Sequence, residues 1–597
     1  MCGIAGIILK DFAGINKSDL QSMTDKIIHR GPDGEGHYIN SNIGLGHRRL
    51  AILDLSEAGH QPMIDEEFVL TYNGEIYNYL EIKEELKKLG HIFKTDSDTE
   101  VIIYAYKEWS TDCVLKFNGM WAFALYDKTK KELFVSRDRF GIKPFYYINN
   151  EKGFYFGSEI KQLIHFLPEI KVNREILFDF LYFSYQHHTN GTFFKGIVSM
   201  PAGHNLIYNL DHNKFTISQY YNLAKPKIID ADIDKCIELY KKEFNSAINL
   251  RLRSDVKVGT CLSGGLDSSY VAKVASEKYK GKFTAITGQS IDTKNDETKY
   301  ARIVAEKHGL EMNVTAPTKK DFFRVLDDVI YFQEEPFGTP SIVMQYFVMK
   351  KAKEKGCIVM LDGQGGDETL LGYERYFVPF LKTIKPPFER IKIFKQLSNN
   401  SKLSMKELFS YYVYFSIPFI RNYVLKYKGK YILKKNKKYF NFSISSNFIR
   451  ASKNLFNLQK HEITKIQLQK LLKFEDRNSM AHSVEARVPF IDYKLLELAL
   501  SIPINYKIKD GWSKYILRRC FGQNEPKEIV WRKNKFGFEA PTDIWMENKE
   551  FFIDEIKSST FLSKIIDKGK VNKEFDNHTL WKLYSVSKWS EKFNVKF

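Results

Sequence analysis

Met1-Cys2-Gly3-Ile4-Ala5-Gly6 places a cysteine second in the chain, ahead of small residues and an apolar run. A penultimate cysteine is small enough for the initiator Met to be removed. Cys2 would then carry a free α-amino group beside its own thiol. That amine, with a pKa of about 8, can take the thiol proton near neutral pH. The alternative for a terminal cysteine is inert burial. Outward from the hexapeptide, polar clusters recur at expected turns: Arg30-Gly31-Pro32-Asp33, His47-Arg48-Arg49-Leu50, Asn73-Gly74-Glu75 and Asp96-Ser97-Asp98-Thr99-Glu100. Each has an ordinary reading as a turn, ion pair or cap, and Asp98 fits a helix cap. Together with Cys2 they form a set shaped for an amino-acid substrate: a cation for its carboxylate, anions for its ammonium and donors for an oxyanion.

The chain has 597 residues, too many for one core. Its 43% hydrophobic and 27% charged residues describe an ordinary soluble protein. Six scattered cysteines give neither a disulfide framework nor a zinc pattern, which fits a reducing cytoplasm. No secretory leader is read at the start. Much of the net charge of +19 gathers between about Lys382 and Lys473, as in Lys434-Lys435-Asn436-Lys437-Lys438. That concentration favours a solvated basic surface over a nucleic-acid groove. The apolar run Leu408–Phe415 is broken by Pro418 and Arg421, too soon to span a bilayer. A packed helix is its default reading, and a basic, aromatic membrane-surface face is the alternative.

The first part reads as short strands and two helices. Phe68–Tyr72 is a strand ending at an Asn73-Gly74 turn, and Trp121–Tyr126 with Leu133–Ser136 is a buried hairpin. Phe154–Gly157 is a further strand, and helices cover Tyr79–Leu89 and Thr99–Trp109. After about Tyr220 the pattern becomes βαβα: strands at Val256–Thr260, Phe283–Thr287 and Cys357–Leu361, helices at Asp267–Lys278 and Asp296–His308. This order implies a parallel sheet with ligands at the strand C-termini. From about Phe380 onward the chain reads as mainly helical. The expected division is residues 1–210, a linker at 211–235, and 236–597 with a basic, aromatic insert at about 380–470.

The set around Cys2 resembles the N-terminal-nucleophile (Ntn) glutaminase domain of class II glutamine amidotransferases. The likeness runs over roughly residues 2–210 and includes Phe194-Lys195-Gly196-Ile197 and Pro201-Ala202-Gly203-His204. It implies that Cys2 attacks the glutamine side-chain amide while its α-amine relays the proton. It gives the Asn73 side chain and the Gly74 N–H the oxyanion, Arg49 the α-carboxylate, and Glu75 and Asp98 the α-ammonium. The bidentate fork of arginine suits a carboxylate.

Val258-Gly259-Thr260-Cys261-Leu262-Ser263-Gly264-Gly265-Leu266-Asp267-Ser268-Ser269 is a strand, a Gly/Ser loop and a helix start. Bare backbone N–H groups and the helix dipole suit an anion there. With no Gly-Lys-Ser/Thr ending it is not a Walker A loop. It resembles the loop of ATP pyrophosphatases, which implies that Ser263, Gly264, Gly265, Asp267, Ser268 and Ser269 surround ATP phosphates. Leu361-Asp362-Gly363-Gln364-Gly365-Gly366-Asp367 is a second acidic turn at a strand end. Asp267 and Asp367, with the phosphates, suit Mg²⁺, and resemblance places Leu262, Ile286, Asp362 and Gly363 against the nucleotide.

Phe474–Asp492 and Arg532-Lys533-Asn534-Lys535-Phe536-Gly537-Phe538 resemble glutamine-hydrolysing asparagine synthetases, a likeness covering roughly residues 2–546. The implied fold is an α+β Ntn layered domain followed by an α/β parallel-sheet ATP-pyrophosphatase domain with a largely helical C-terminal part. The implied reaction takes L-glutamine, L-aspartate and ATP through a β-aspartyl adenylate, with Lys535 stabilising charge and Glu485 and Arg487 structural. Many relatives carry Glu where this chain has Gln364. Glutamine cannot act as a base, but it can orient the substrate carboxylate. Glu334 and Glu335 read either as carboxylates near this site or as a turn lining before Pro336. Another carboxylate acceptor, such as a uronic acid, and a silent binding protein remain the alternatives. Neither a nucleic-acid partner nor stable membrane insertion is expected, and a homodimer is left open.

Overall fold

A computed structural model describes the chain apart from Met1, Phe12, Ala13 and residues 534–539. Its first strands are β1 (Gly3–Leu9), β2 (Gly34–Asn40), β3 (Ile43–Arg49), β4 (Met63–Ile64), β5 (Phe68–Ile76) and β6 (Gly119–Asp127). They continue with β7 (Glu132–Arg137), β8 (Tyr146–Asn149), β9 (Gly153–Gly157), β10 (Val198–Ser199), β11 (His204–Asn209) and β12 (Lys214–Gln219). Two antiparallel sheets result, ordered β10-β8-β9-β1-β3-β2 and β12-β11-β7-β6-β5-β4.

Side-chain alternation along the strands explains why the sheets stack. In β1, Ile4 and Ile8 join Val69, Ala122 and Ala124 of the other sheet in one core, while Ala5 and Ile7 point the other way, toward Leu20 and Met23. In β6, Trp121, Phe123 and Leu125 face outward under the helices Tyr79–Lys88 and Asp98–Trp109. Helices therefore cover both outer faces of a sheet pair, an α+β layered architecture.

The hairpin of β6 and β7 forms as the sequence predicts. The turn at Asn73-Gly74 does not. β5 runs straight through both residues, pairing Asn73 with Ala122 and Gly74 with Trp121. The glycine serves close approach instead: a Cβ there would lie 2.1 Å from the Met120 carbonyl oxygen.

Five parallel strands follow: β13 (Val258–Cys261), β14 (Thr284–Gly288), β15 (Glu311–Thr315), β16 (Val359–Leu361) and β17 (Glu485–Arg487), ordered β15-β14-β13-β16-β17. The helices Leu266–Ser276 and Thr298–Lys307 lie close to their predicted spans. Within a C-terminal part that is mainly helical, as read, β17 is a strand the sequence did not announce: three residues in register with β16, Val359 to Glu485 and Leu361 to Arg487, complete the sheet.

The segment around β17 also joins the two regions. Arg30 is fully buried and donates to the Cys2 carbonyl at 3.1 Å, to Glu159 at 2.9 Å and to both Asp476 oxygens at 2.9 and 3.0 Å. Arg477 meets Glu334 at 2.8 Å and Asp476 at 3.1 Å. Glu334 also accepts from the Ile160 and Lys161 backbone at 3.0 and 2.7 Å, and Glu335 from Phe193 N at 2.7 Å. Of the two readings of Glu334 and Glu335, the structure supports the packing one, because their carboxylates are consumed by these contacts. Removing one member of such a buried network strands the others. Arg477→Met is expected to cost about 3–5 kcal/mol, read as a lowered urea midpoint; an unchanged midpoint would show that the network adds no stability.

Candidate active sites

Cys2 lies at the head of β1, 8% exposed, with its thiol 3.9 Å from the Leu50 carbonyl oxygen. Burial pushes the thiol pKa up, so it needs a base at hand to react at neutral pH. Its backbone nitrogen, the atom that becomes the amine once Met1 is removed, donates to Asn73 Oδ1 at 3.2 Å. That contact fixes the orientation of the Asn73 amide and leaves Asn73 Nδ2 buried with no hydrogen-bond acceptor. An orphaned donor beside a nucleophile suits an oxyanion.

Arg49, Gly74, Glu75 and Asp98 line one cleft with Cys2. Arg49 ends β3 and is held by the backbone carbonyls of Asp54 and Ser56. Ser97, not Asp98, caps the helix Asp98–Trp109. The Asp98 carboxylate instead turns inward, accepting from Tyr72 Oη and Ile76 N, both at 2.8 Å. Burial raises its pKa to about 6. Burial raises Glu75 as well, and Arg487 of β17 sits 3.4 Å from it. Arg30, from one of the turn clusters flanking Cys2, belongs to the buried ion network rather than to this cleft.

The second cleft opens at the C-terminal ends of β13, β14 and β16, as the parallel order requires. Leu262, Ser263, Gly265, Asp267 and Ser268 line it from the loop after β13. Ile286, Asp362, Gly363, Gln364 and Asp367 line it from the neighbouring strand ends. The Ser263 and Ser268 hydroxyls lie 3.0 Å apart, and Gly265 N donates to Ser263 Oγ at 3.3 Å, so the loop closes on itself. Gly264 and Ser269 stand behind the cleft wall. Gly264 has φ +69°, and a Cβ there would lie 2.5 Å from Ala301 N; Ser269 is fully buried. Lys535 lies outside the described residues.

Two residues here escaped the sequence reading. Lys514 Nζ lies 2.5 Å from both Asp267 and Asp367, a single cation between two carboxylates. A lone lysine in Gly511-Trp512-Ser513-Lys514 carries no sequence signal. Glu475 faces Asp362, and burial raises both carboxyls. Among the described residues no group of three or more His, Cys, Asp or Glu could hold a metal by itself, and no helix is long and apolar enough to cross a membrane.

Residues 1–221 match the family model of a glutamine amidotransferase domain, and residues 239–593 that of asparagine synthase. The chain thus couples an amidotransferase to a synthetase. Asparagine synthetase [glutamine-hydrolyzing] 1 of Bacillus subtilis is 31% identical over 568 residues, 92% of this chain and 88% of the relative. Putative asparagine synthetase [glutamine-hydrolyzing] 2 of Methanocaldococcus jannaschii is 40% identical over 423 residues, 66% of this chain and 80% of the relative. The chain belongs to the asparagine synthetase family. A solved glutamine phosphoribosylpyrophosphate amidotransferase of B. subtilis aligns at 16% identity with a TM-score of 0.29, over 53% of this chain and 81% of that one. That overlap is too slight to bear on the fold.

Lys514→Met would leave Asp267 and Asp367 facing each other without their shared cation. The variant is expected to lose roughly 2 kcal/mol or more of stability and to regain part of it in millimolar Mg²⁺, read by thermal melting. An unaltered melt with no Mg²⁺ response would show that Lys514 does not compensate these carboxylates.

Proposed function

We propose that the protein makes L-asparagine and L-glutamate from L-aspartate, L-glutamine and ATP, releasing AMP and pyrophosphate. The observation that carries this reading is the pairing, in one chain, of Cys2 held at Asn73 with a carboxylate-rich cleft at the parallel strand ends. Cys2 Sγ would attack the glutamine carboxamide while the freed α-amine takes the thiol proton. Asn73 Nδ2 and Gly74 N–H would receive the developing oxyanion, a donor pair whose members are each worth about 10²–10³ in rate. Ammonia leaves, and water releases glutamate from the thioester. Arg49 would hold the substrate carboxylate, and Glu75 and Asp98 its ammonium.

In the second cleft an aspartate carboxylate oxygen would attack the α-phosphorus of ATP, with pyrophosphate leaving. Ammonia passing inside the protein would then displace AMP from the acyl carbon. Activation must precede amidation because a free carboxylate is a poor acyl donor. The Ser263–Ser269 loop would bind phosphates, and the Gln364 amide would orient the aspartate carboxylate without taking a proton. Asp267 and Asp367 fit Mg²⁺ in donor type, since both already converge on one cation. Bound there, Mg²⁺ would neutralise phosphate charge. The cation role of Lys535 remains part of this proposal. Six cysteines without a disulfide support a cytoplasmic setting.

Product analysis tests the reading. Purified protein with glutamine, aspartate, ATP and Mg²⁺ is expected to yield asparagine, AMP and pyrophosphate together. Cys2→Ala is expected to abolish this with glutamine and keep it with ammonia. Glutamate release without asparagine or AMP would sink aspartate as the acceptor and point to another carboxylate.

The raised pKa of Asp98 predicts a pH profile. The substrate ammonium needs the ionised carboxylate, so protonation opposes binding. KM for glutamine is expected to rise as pH falls through about 6, by roughly tenfold per unit at the limit, while KM for ATP in the ammonia-dependent reaction shows no such rise. A glutamine KM flat from pH 8 to 5 would remove Asp98 from the ammonium site.

A further inference from the structure

Neither proposed site uses the segment from Lys382 to Lys460. It holds 18 lysines and arginines against two acids, Glu389 and Glu407, so +16 of the chain's +19 resides in 79 residues. Among the described residues, every exposed aromatic side chain also falls in this stretch, between Phe388 and Phe442. Exposed aliphatic residues elsewhere are scattered and need no explanation. Here basic charge and exposed rings coincide.

The helices concerned are Pro387–Asn400, Met405–Ser416 and Pro418–Lys428. Each buries few residues fully, with Ile393, Phe394, Tyr412 and Phe415 half-buried against the core. Leu397 is the buried residue of the first, Leu408 of the second, and Arg421 with Leu425 of the third. Their outer faces carry apolar ridges at helical spacing. Phe419, Tyr423 and Tyr427 stand four residues apart, 78%, 64% and 61% exposed. Phe388 and Ile391 are 77% and 70% exposed, and Phe409 follows Met405 by one turn. Lysine heads sit among the rings: Lys426 Nζ lies 4.4 Å from the Phe442 ring centroid, and Lys430 Nζ 5.1 Å from that of Tyr427.

We propose that this three-helix face docks reversibly on an anionic lipid bilayer, with its rings in the headgroup layer and its lysines on the lipid charges. The shallow amphipathic helices have the composition of elements that lie in a membrane interface without crossing it. Lysine stems can pack along apolar surface while their heads stay in the polar layer. Charge decides against a second copy of this chain, because the span 387–428 carries eight lysines and arginines against Glu389 and Glu407, a net +6, and two such faces would set like charge against like. Apolar residues without a stacking face, Ile391, Met405 and Ile417, favour lipid over a nucleic-acid strand, which draws on stacking and phosphate contacts.

Flotation of the full chain with two vesicle types tests this. The protein is expected to float with phosphatidylcholine vesicles containing about one-quarter phosphatidylglycerol and not with phosphatidylcholine alone. Raising salt from low levels to about 0.15 M should weaken binding several-fold. The triple variant Phe419→Ser, Tyr423→Ser, Tyr427→Ser should lose about tenfold or more in partitioning. So should the variant Lys392→Gln, Lys395→Gln, Lys426→Gln, Lys428→Gln, since it removes four exposed charges from these helices. Ammonia-dependent turnover in solution should match wild type in both, showing intact folding. Equal flotation on neutral vesicles, no flotation at all, or unaltered flotation of the triple variant would overturn the proposal. So would retention on single-stranded RNA by a protein that ignores anionic vesicles.

Discussion

The buried charge network around Arg30 and Arg477 is the constraint on which the two halves depend. Guanidinium and carboxylate groups withdrawn from water lose solvation that only complete pairing restores. Arg30 accordingly spends its donors on Cys2, Glu159 and Asp476, and Arg477 spends its own on Glu334 and Asp476. Asp476 is shared between the two arginines and so links them, although Arg477 Nε stays buried without a hydrogen-bond partner. Because one of the anchored atoms is the Cys2 carbonyl, the Cys2 backbone is tied through Arg30 to Asp476 of the synthetase region.

Much of the architecture was legible because it follows from local periodicity. Two apolar runs announced the β6–β7 hairpin, and the βαβα rhythm after Tyr220 announced a parallel sheet whose strand ends gather Ser263, Asp267, Asp362 and Asp367. Asn73-Gly74 misled because the dipeptide is equally the signature of a tight turn. Full pairing with β6 and the nearness of Met120 overrode that local preference. The oxyanion candidate nevertheless came from the same two residues, since the chemistry depends on which groups are there and not on whether the backbone turns.

What stayed hidden depends on partners distant in sequence. β17 is three residues long and exists as a strand only because β16 offers an open edge. Lys514 acquires meaning from two carboxylates more than 100 residues upstream. Arg30 stood in a cluster that looked addressed to substrate, whereas its partners are Glu159 and Asp476. Pairings of this kind leave no period and no motif.

Arg487 gives β17 a mechanical role. Its carbonyl accepts the Asp362 N–H at 2.9 Å, on the rim of the cleft at the parallel strand ends, and its guanidinium reaches Glu75 at 3.4 Å in the cleft beside Cys2. Slipping a strand by one residue reverses which face every side chain occupies. β17 therefore acts as a strut locked in a single notch: its register against β16 sets the span between the two clefts. Any rocking of one region against the other must take its pivot elsewhere, or carry both rims as one piece.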